Sequence, residues 1–171
     1  MPPGPPPGAR MLPMRARLAI GLLCVAAAGP ALADFKAGMD AYDRGDFETA
    51  LAEWRPLADG GMAEAQYNIG LIYHHGKGVA ADPAAAHGWY LEAAEGGYAR
   101  AQYRVAEMFE SGQGVRVDLV QARLWFSLAG EQRYEDARKR RRKVADKMTP
   151  EQIAQADMLV RHRKRDRKTA D

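Results

Sequence analysis

A repeat of 36 residues constrains this chain more than any other feature. The stretch 63–98 reads AEAQYNIGLIYHHGKGVAADPAAAHGWYLEAAEGGY, and the next 36 residues open ARAQYRVAEMFESGQGVRVDLVQARLWFSLAG. At that offset Ala65, Gln66 and Tyr67 meet Ala101, Gln102 and Tyr103. Gly76, Gly78 and Val79 meet Gly112, Gly114 and Val115, while Asp82, Ala86 and Trp89 meet Asp118, Ala122 and Trp125. A period of this size makes each unit one supersecondary element that buries its apolar face only against its neighbours.

Each unit reads as two helices. The first is an apolar-periodic run, 63–74, ended at Gly76. The G-x-G-V link supplies glycine where the chain turns tightly. Asp82 then caps a second helix, with Pro83 at the first helical position, where its missing N–H costs nothing. That helix runs to Glu95 and stops at Gly96-Gly97. In the next unit Asp118 caps and Gln121 completes a capping box. Gly70, Ala65, Ala86 and Ala93 fall at helical spacing, where small side chains permit close helix approach. Trp89 and Trp125, with Tyr90 and Phe126, fill the space between successive pairs as core aromatics.

The flanks continue the plan. Residues 35–61 form a shorter helical pair, with Gly45 at the turn. Downstream, 134–147 makes another helix. Thr149-Pro150-Glu151-Gln152 is a full capping box opening a last helix to about Arg161, and the polar residues 164–171 are a frayed tail.

These residues carry a family resemblance. The pattern A-x-A-Q, Y, G-x-G-V, D, A, W, A-A over 36 residues resembles Sel1-like repeats, relatives of tetratricopeptide repeats, and 35–61 resembles a tetratricopeptide pair. The resemblance implies an all-α chain, an α/α superhelical solenoid of about four antiparallel helix pairs. Its units are a tetratricopeptide-like pair at 34–62, Sel1-like repeats at 63–98 and 99–133, and basic capping helices at 134–163. Gly130-Glu131-Gln132 stands where the first repeat has Ala94-Glu95-Gly96, so the second repeat is degenerate and capping. The disulfide-rich branch of the family, to which penicillin binding and β-lactamase activity are attributed, has cysteine pairs that this chain lacks.

Charge becomes informative once its position is known. The whole chain has 25 Lys+Arg against 22 Asp+Glu and a net charge of +3. Residues 1–33 hold Arg10, Arg15 and Arg17 and no acid, then the apolar run LAIGLLCVAAAG, Pro30 and Ala31-Leu32-Ala33. That order predicts a secretory signal peptide cut after Ala33. The run is about 12 residues, short of the ~20 that span a bilayer, so the mature chain is not an integral membrane protein. Leu23 before Cys24 excludes a lipoprotein site. The Pro-rich opening lies outside this plan, and Met11 or Met14 would give an ordinary start. Cleavage removes three arginines and Cys24, leaving 22 basic and 22 acidic residues and no disulfide chemistry. From Asp34 to Gln132 the net charge is −7, and from Arg133 to Asp171 it is +7. A periplasmic or secreted location excludes nucleic acid as the natural partner.

Little in the sequence points to catalysis. Ser111 and Ser127, the mature chain's serines, lie in no nucleophile-elbow context. His74 and His75 are neighbours and diverge by ~100° on a helix. Positions four from His74 are Gly70 and Gly78, and four from His87 are Pro83 and Leu91, so no pair of helical metal ligands forms. His74 and His75 read as a helix end, where positive charge suits the dipole. The G-x-G links join two helices rather than a strand to a helix, which excludes a dinucleotide fingerprint. No enzyme, cofactor or metal site is expected.

Binding is the remaining class. By the resemblance, the first helix of each pair lines a concave face that takes a peptide or protein. Its positions are Met39, Tyr42 and Asp43, then Tyr67, Leu71, His74 and His75, then Tyr103, Glu107 and Glu110, about half of them buried between helices. The basic run Arg138, Lys139, Arg140, Arg141, Arg142 and Lys143 is either the solvated face of a capping helix or a dock for an anionic envelope surface. A weak β-lactam-binding or cell-wall hydrolase activity is the enzymatic alternative.

Overall fold

The computed structural model describes residues 34–170. The predicted signal peptide lies outside them. Among the described residues there are eight helices. They are α1 (Phe35–Asp43), α2 (Phe47–Asp59), α3 (Ala63–His75), α4 (Pro83–Glu95), α5 (Ala99–Ser111), α6 (Leu119–Glu131), α7 (Glu135–Ala145) and α8 (Pro150–Ala170). Consecutive helices pair as α1–α2, α3–α4 and α5–α6, and each second helix also packs on the next first helix.

The 36-residue register extends into the first pair. Asp46, Asp82 and Asp118 each N-cap a second helix, accepting from Thr49 N at 3.1 Å, Ala85 N at 2.9 Å and Gln121 N at 3.0 Å. Trp54, Tyr90 and Phe126 occupy one repeat position and are all buried. A small residue of the paired first helix receives the ring. A Cβ on Gly70 would lie 2.6 Å from Tyr90 ring carbons, and one on Gly38 would run into the Trp54 indole. The core aromatic is therefore Trp54–Tyr90–Phe126, not the tryptophan stripe. Trp89 is half-buried beneath the Arg55 guanidinium, whereas Trp125 is buried because α8 lies on α6 and Arg163 stacks on its ring at 4.4 Å.

The glycine links have a specific use. Gly76 and Gly112 end α3 and α5 in left-handed conformation, φ +65° and +79°, returning their N–H groups to Ile72 and Met108 carbonyls. The second glycine abuts the preceding pair. A Cβ on Gly78 would lie 2.8 Å from Phe47 Cβ, and one on Gly114 would strike the Pro83 carbonyl. Phe47 and Pro83 are one period apart, each the first residue of a second helix. Asp118 N–H goes to the Phe109 carbonyl at 2.9 Å, so Gln121 has no donor to accept from and that capping box stays half-formed. Thr149 and Gln152 do close theirs, Thr149 N to Gln152 Oε1 at 2.9 Å and Gln152 N to Thr149 Oγ1 at 3.3 Å.

The last unit departs from the pattern. α7 follows the register, but α8 packs back on α6 and continues to Ala170, beyond the Arg161 end read from sequence. Its polar end is rich in Lys and Arg, both good helix formers, and His162 pairs with Asp166 four residues on, at 2.8 Å.

Candidate functional site

In α3 and α5 a buried glutamine ties the first helix to the second helix before it. Gln66 Nε2 donates to the Ala58 carbonyl at 3.0 Å, and Gln102 Nε2 donates to the Ala94 carbonyl at 3.1 Å. One period later Arg138 Nε donates to the Gly130 carbonyl at 2.8 Å. Arg138 thus does the repeat's glutamine job and ties α7 to α6. The basic run is consequently divided. Arg140 Nη2 donates to Glu110 Oε2 at 2.7 Å, and Lys147 Nζ reaches Glu110 Oε1 at 2.9 Å. Arg138, Lys139, Arg142 and Lys143 are exposed along one side of α7, while Arg140 and Arg141 are half-buried.

The expected concave residues also separate. Tyr67 is 9% exposed and packs its ring on Tyr90 and Tyr98, so it offers nothing to a partner. Glu110, with a side chain only 10% exposed, is held by two cations. Leu71 packs against the main core. Met39 takes a hydrogen bond from Asn68 at its sulfur, 3.4 Å, and Tyr42 accepts from Lys77 Nζ at 2.7 Å. Asp43 and His75 are exposed. Tyr103 is half-buried between Phe126 and Tyr134.

His74 and Glu107 come together in a recess of about 250 Å³. α3 contributes His74, α4 contributes Tyr90, and α7 contributes Arg140. α5 and its following turn supply Arg104, Glu107, Met108, Ser111 and Gln113. Three successive first helices therefore border one concavity. Arg104 Nη1 donates to Glu107 Oε2 at 2.9 Å, and its guanidinium also donates to the Tyr67 oxygen. Burial pulls the Arg104 pKa down, but these partners outweigh it and hold it above the ordinary value. Burial, reinforced by the Glu107 charge, pushes Tyr103 up to about 12. His74 is pushed below the imidazole range by burial first, then by His75 and Arg104. This shift works against a cation at the end of α3. Arg104, Met108 and Gln113 escaped sequence reading, which gives Tyr90 only as a core aromatic. Only the helical spacing of Arg104 to Glu107 hinted at one of them.

The recess is smaller than the ~300–1,000 Å³ of ordinary ligand pockets. Among the described residues, no group of three or more His, Cys, Asp or Glu side chains could hold a metal ion. No helix among them is long and apolar enough to cross a membrane.

Comparison with known proteins agrees with this geometry. The model of the Sel1 repeat matches residues 63–98 and 99–134. Residues 63–134 belong to the Sel1 repeat family. A crystal structure of a protective antigen of uropathogenic Escherichia coli, described as displaying an SLR fold, superposes with a TM-score of 0.69 at 31% identity. It covers 74% of this chain and 28% of that one. A Sel1 repeat protein from Oxalobacter formigenes gives a TM-score of 0.60 at 30% identity over 63% of this chain and 44% of that one. Chitin synthase regulatory factor 3 of Schizosaccharomyces pombe is 48% identical over 46 residues, 27% of this chain and 5% of that protein. The chain spans less than half the length of each relative. The second Sel1 repeat is matched through Tyr134, so its altered Gly130-Glu131-Gln132 end does not remove it from the pattern.

Proposed function

We propose that this chain is a non-enzymatic interaction module of the bacterial envelope, exported by its leader, that holds a peptide segment of a protein partner against its first helices. The observation that carries the reading is the recess bordered by α3, α5 and α7, which joins side chains from three consecutive units at one place. Helical repeats of this kind expose extended surfaces suited to peptides. The recess has charged and polar walls over an apolar floor of Met108 and the Tyr90 ring, a composition suited to reading a side chain.

A photocrosslinking amino acid at Gln113, exposed beside the recess, tests this in living cells. A control at Gln155, exposed on α8, reports background. Discrete crosslinked species from Gln113, lost on Arg140→Glu, are expected. Identical patterns from both positions would refute the groove. Mass spectrometry of the same preparation gives the mature N-terminus, expected at Asp34.

A further inference from the structure

The recess has more hydrogen-bonding capacity than its own residues use. Tyr90 is fully buried, yet its hydroxyl has no partner among the described residues. The same is true of Arg140 Nε and His74 Nδ1, and all three residues line the recess. Buried polar atoms without partners are uncommon, and three in one place need a reason. Arg140 Nε can only donate, a tyrosine hydroxyl can donate, and neutral imidazole can present Nδ1 as a donor. Arg140 Nε therefore needs an acceptor, and one acceptor group can serve all three.

The charges agree. Glu107 is engaged by Arg104, and Glu110 by Arg140 and Lys147 together. Of the lining residues, Arg104 and Arg140 are cations and Glu107 is the carboxylate, and Glu107 is already paired with Arg104. An incoming anion would meet a cation in excess. The floor beneath is apolar, with Met108 only 2% exposed and the Tyr90 ring fully buried.

We propose that the recess binds the side-chain carboxylate of a glutamate in the partner peptide, its oxygens accepting from the Tyr90 hydroxyl and Arg140 Nε and its methylenes lying on Met108. This rests on the groove reading above and names what the groove recognises. A carboxylate supplies acceptors only, which Arg140 Nε requires and which the Tyr90 hydroxyl and His74 Nδ1 can use as donors, and charge-assisted bonds to it are the strong class.

Nuclear magnetic resonance of the purified protein tests it, with N-acetylglutamate α-amide as probe. N-acetylglutamine α-amide and inorganic phosphate are the controls. The glutamate compound is expected to shift the Arg140 Nε–H signal and the amides of Tyr90, Arg104 and Met108 saturably. The glutamine compound binds at least tenfold more weakly. Tyr90→Phe removes one hydroxyl and weakens binding about tenfold, with an unchanged melting temperature, because a charge-assisted bond is lost and no internal one. Arg140→Lys keeps the charge, loses Nε and weakens binding by a similar factor. Equal affinity for the glutamine compound, equal or tighter binding of phosphate, or unaltered binding by Tyr90→Phe overturns the proposal. Crosslinks retained at Gln113 with no glutamate binding would overturn the carboxylate and leave the groove standing. Loss of both would overturn both.

Discussion

Arg133 occupies a position built for glycine. Gly61 and Gly97 close the first two pairs at φ +88° and +93°, and Arg133, one period after Gly97, sits at φ +64°. A residue with a Cβ pays about 1–2 kcal/mol in that region. Glycine returns about 0.5–1 kcal/mol of this through the greater freedom of its unfolded chain. Arg133 is exposed, so its side chain adds little to the balance. Arg133→Gly is therefore expected to stabilise the fold by about 0.5–1 kcal/mol. For a domain of this size that raises the melting temperature by roughly 2–5 °C. Thermal unfolding followed by circular dichroism measures it. The reciprocal variant is Gly61→Ala, where an added Cβ meets nothing within 4 Å and strain is confined to the backbone. By the same balance it should lose about 0.5–1 kcal/mol. A lower melting temperature for Arg133→Gly together with a tolerated Gly61→Ala would refute the conformational reasoning.

Three further outcomes follow from the packing. Gly70→Ala forces a methyl into the Tyr90 ring and should cost about 1–3 kcal/mol in urea unfolding, a loss that a simultaneous Tyr90→Leu partly recovers. Arg138→Gln should lie within about 0.5 kcal/mol of the parent, because glutamine makes this bond twice already, while Arg138→Ala loses about 1–2 kcal/mol. His87 is held below its ordinary value of 6.5 by burial alone, and His74 by burial followed by its charged neighbours. The unfolded chain takes up protons first, so stability is complete above pH 6.5 and falls as pH drops through that value towards the folded values. Melting temperature measured from about pH 7.5 to pH 5.5 should decline, and His74→Gln with His87→Gln should flatten the decline.

Helix ends and pairing were legible because local chemistry encodes them. Asp82, Pro83, Gly76 and Gly96 act within a turn of where they stand. The site was less so, for reasons of distance and direction. A first helix is packed on two sides, and periodicity alone does not separate Tyr67, buried, from Tyr103, half-buried. Glu110 reads as a free acid until residues 30 and 37 positions away neutralise it. The run from Arg138 to Lys143 reads as charge alone, yet Arg138 Nε is bonded to a carbonyl that no charge pattern reveals. Trp89 and Trp125 are equivalent in sequence and differ in burial because α8 returns over only one of them.

That return has a consequence for how the molecule comes apart. Arrays in which every unit touches only its neighbours can unravel from an end, one unit at a time. Here Asp157 holds Arg123 at 2.9 Å, Lys164 holds Glu131 at 2.7 Å, and Arg163 reaches Glu95 in the preceding repeat at 3.6 Å. The last helix is therefore fastened across two repeats. Fraying at this end must release α8 along its length and uncover Trp125 before α6 can loosen, so the C-terminal half melts as one cooperative block.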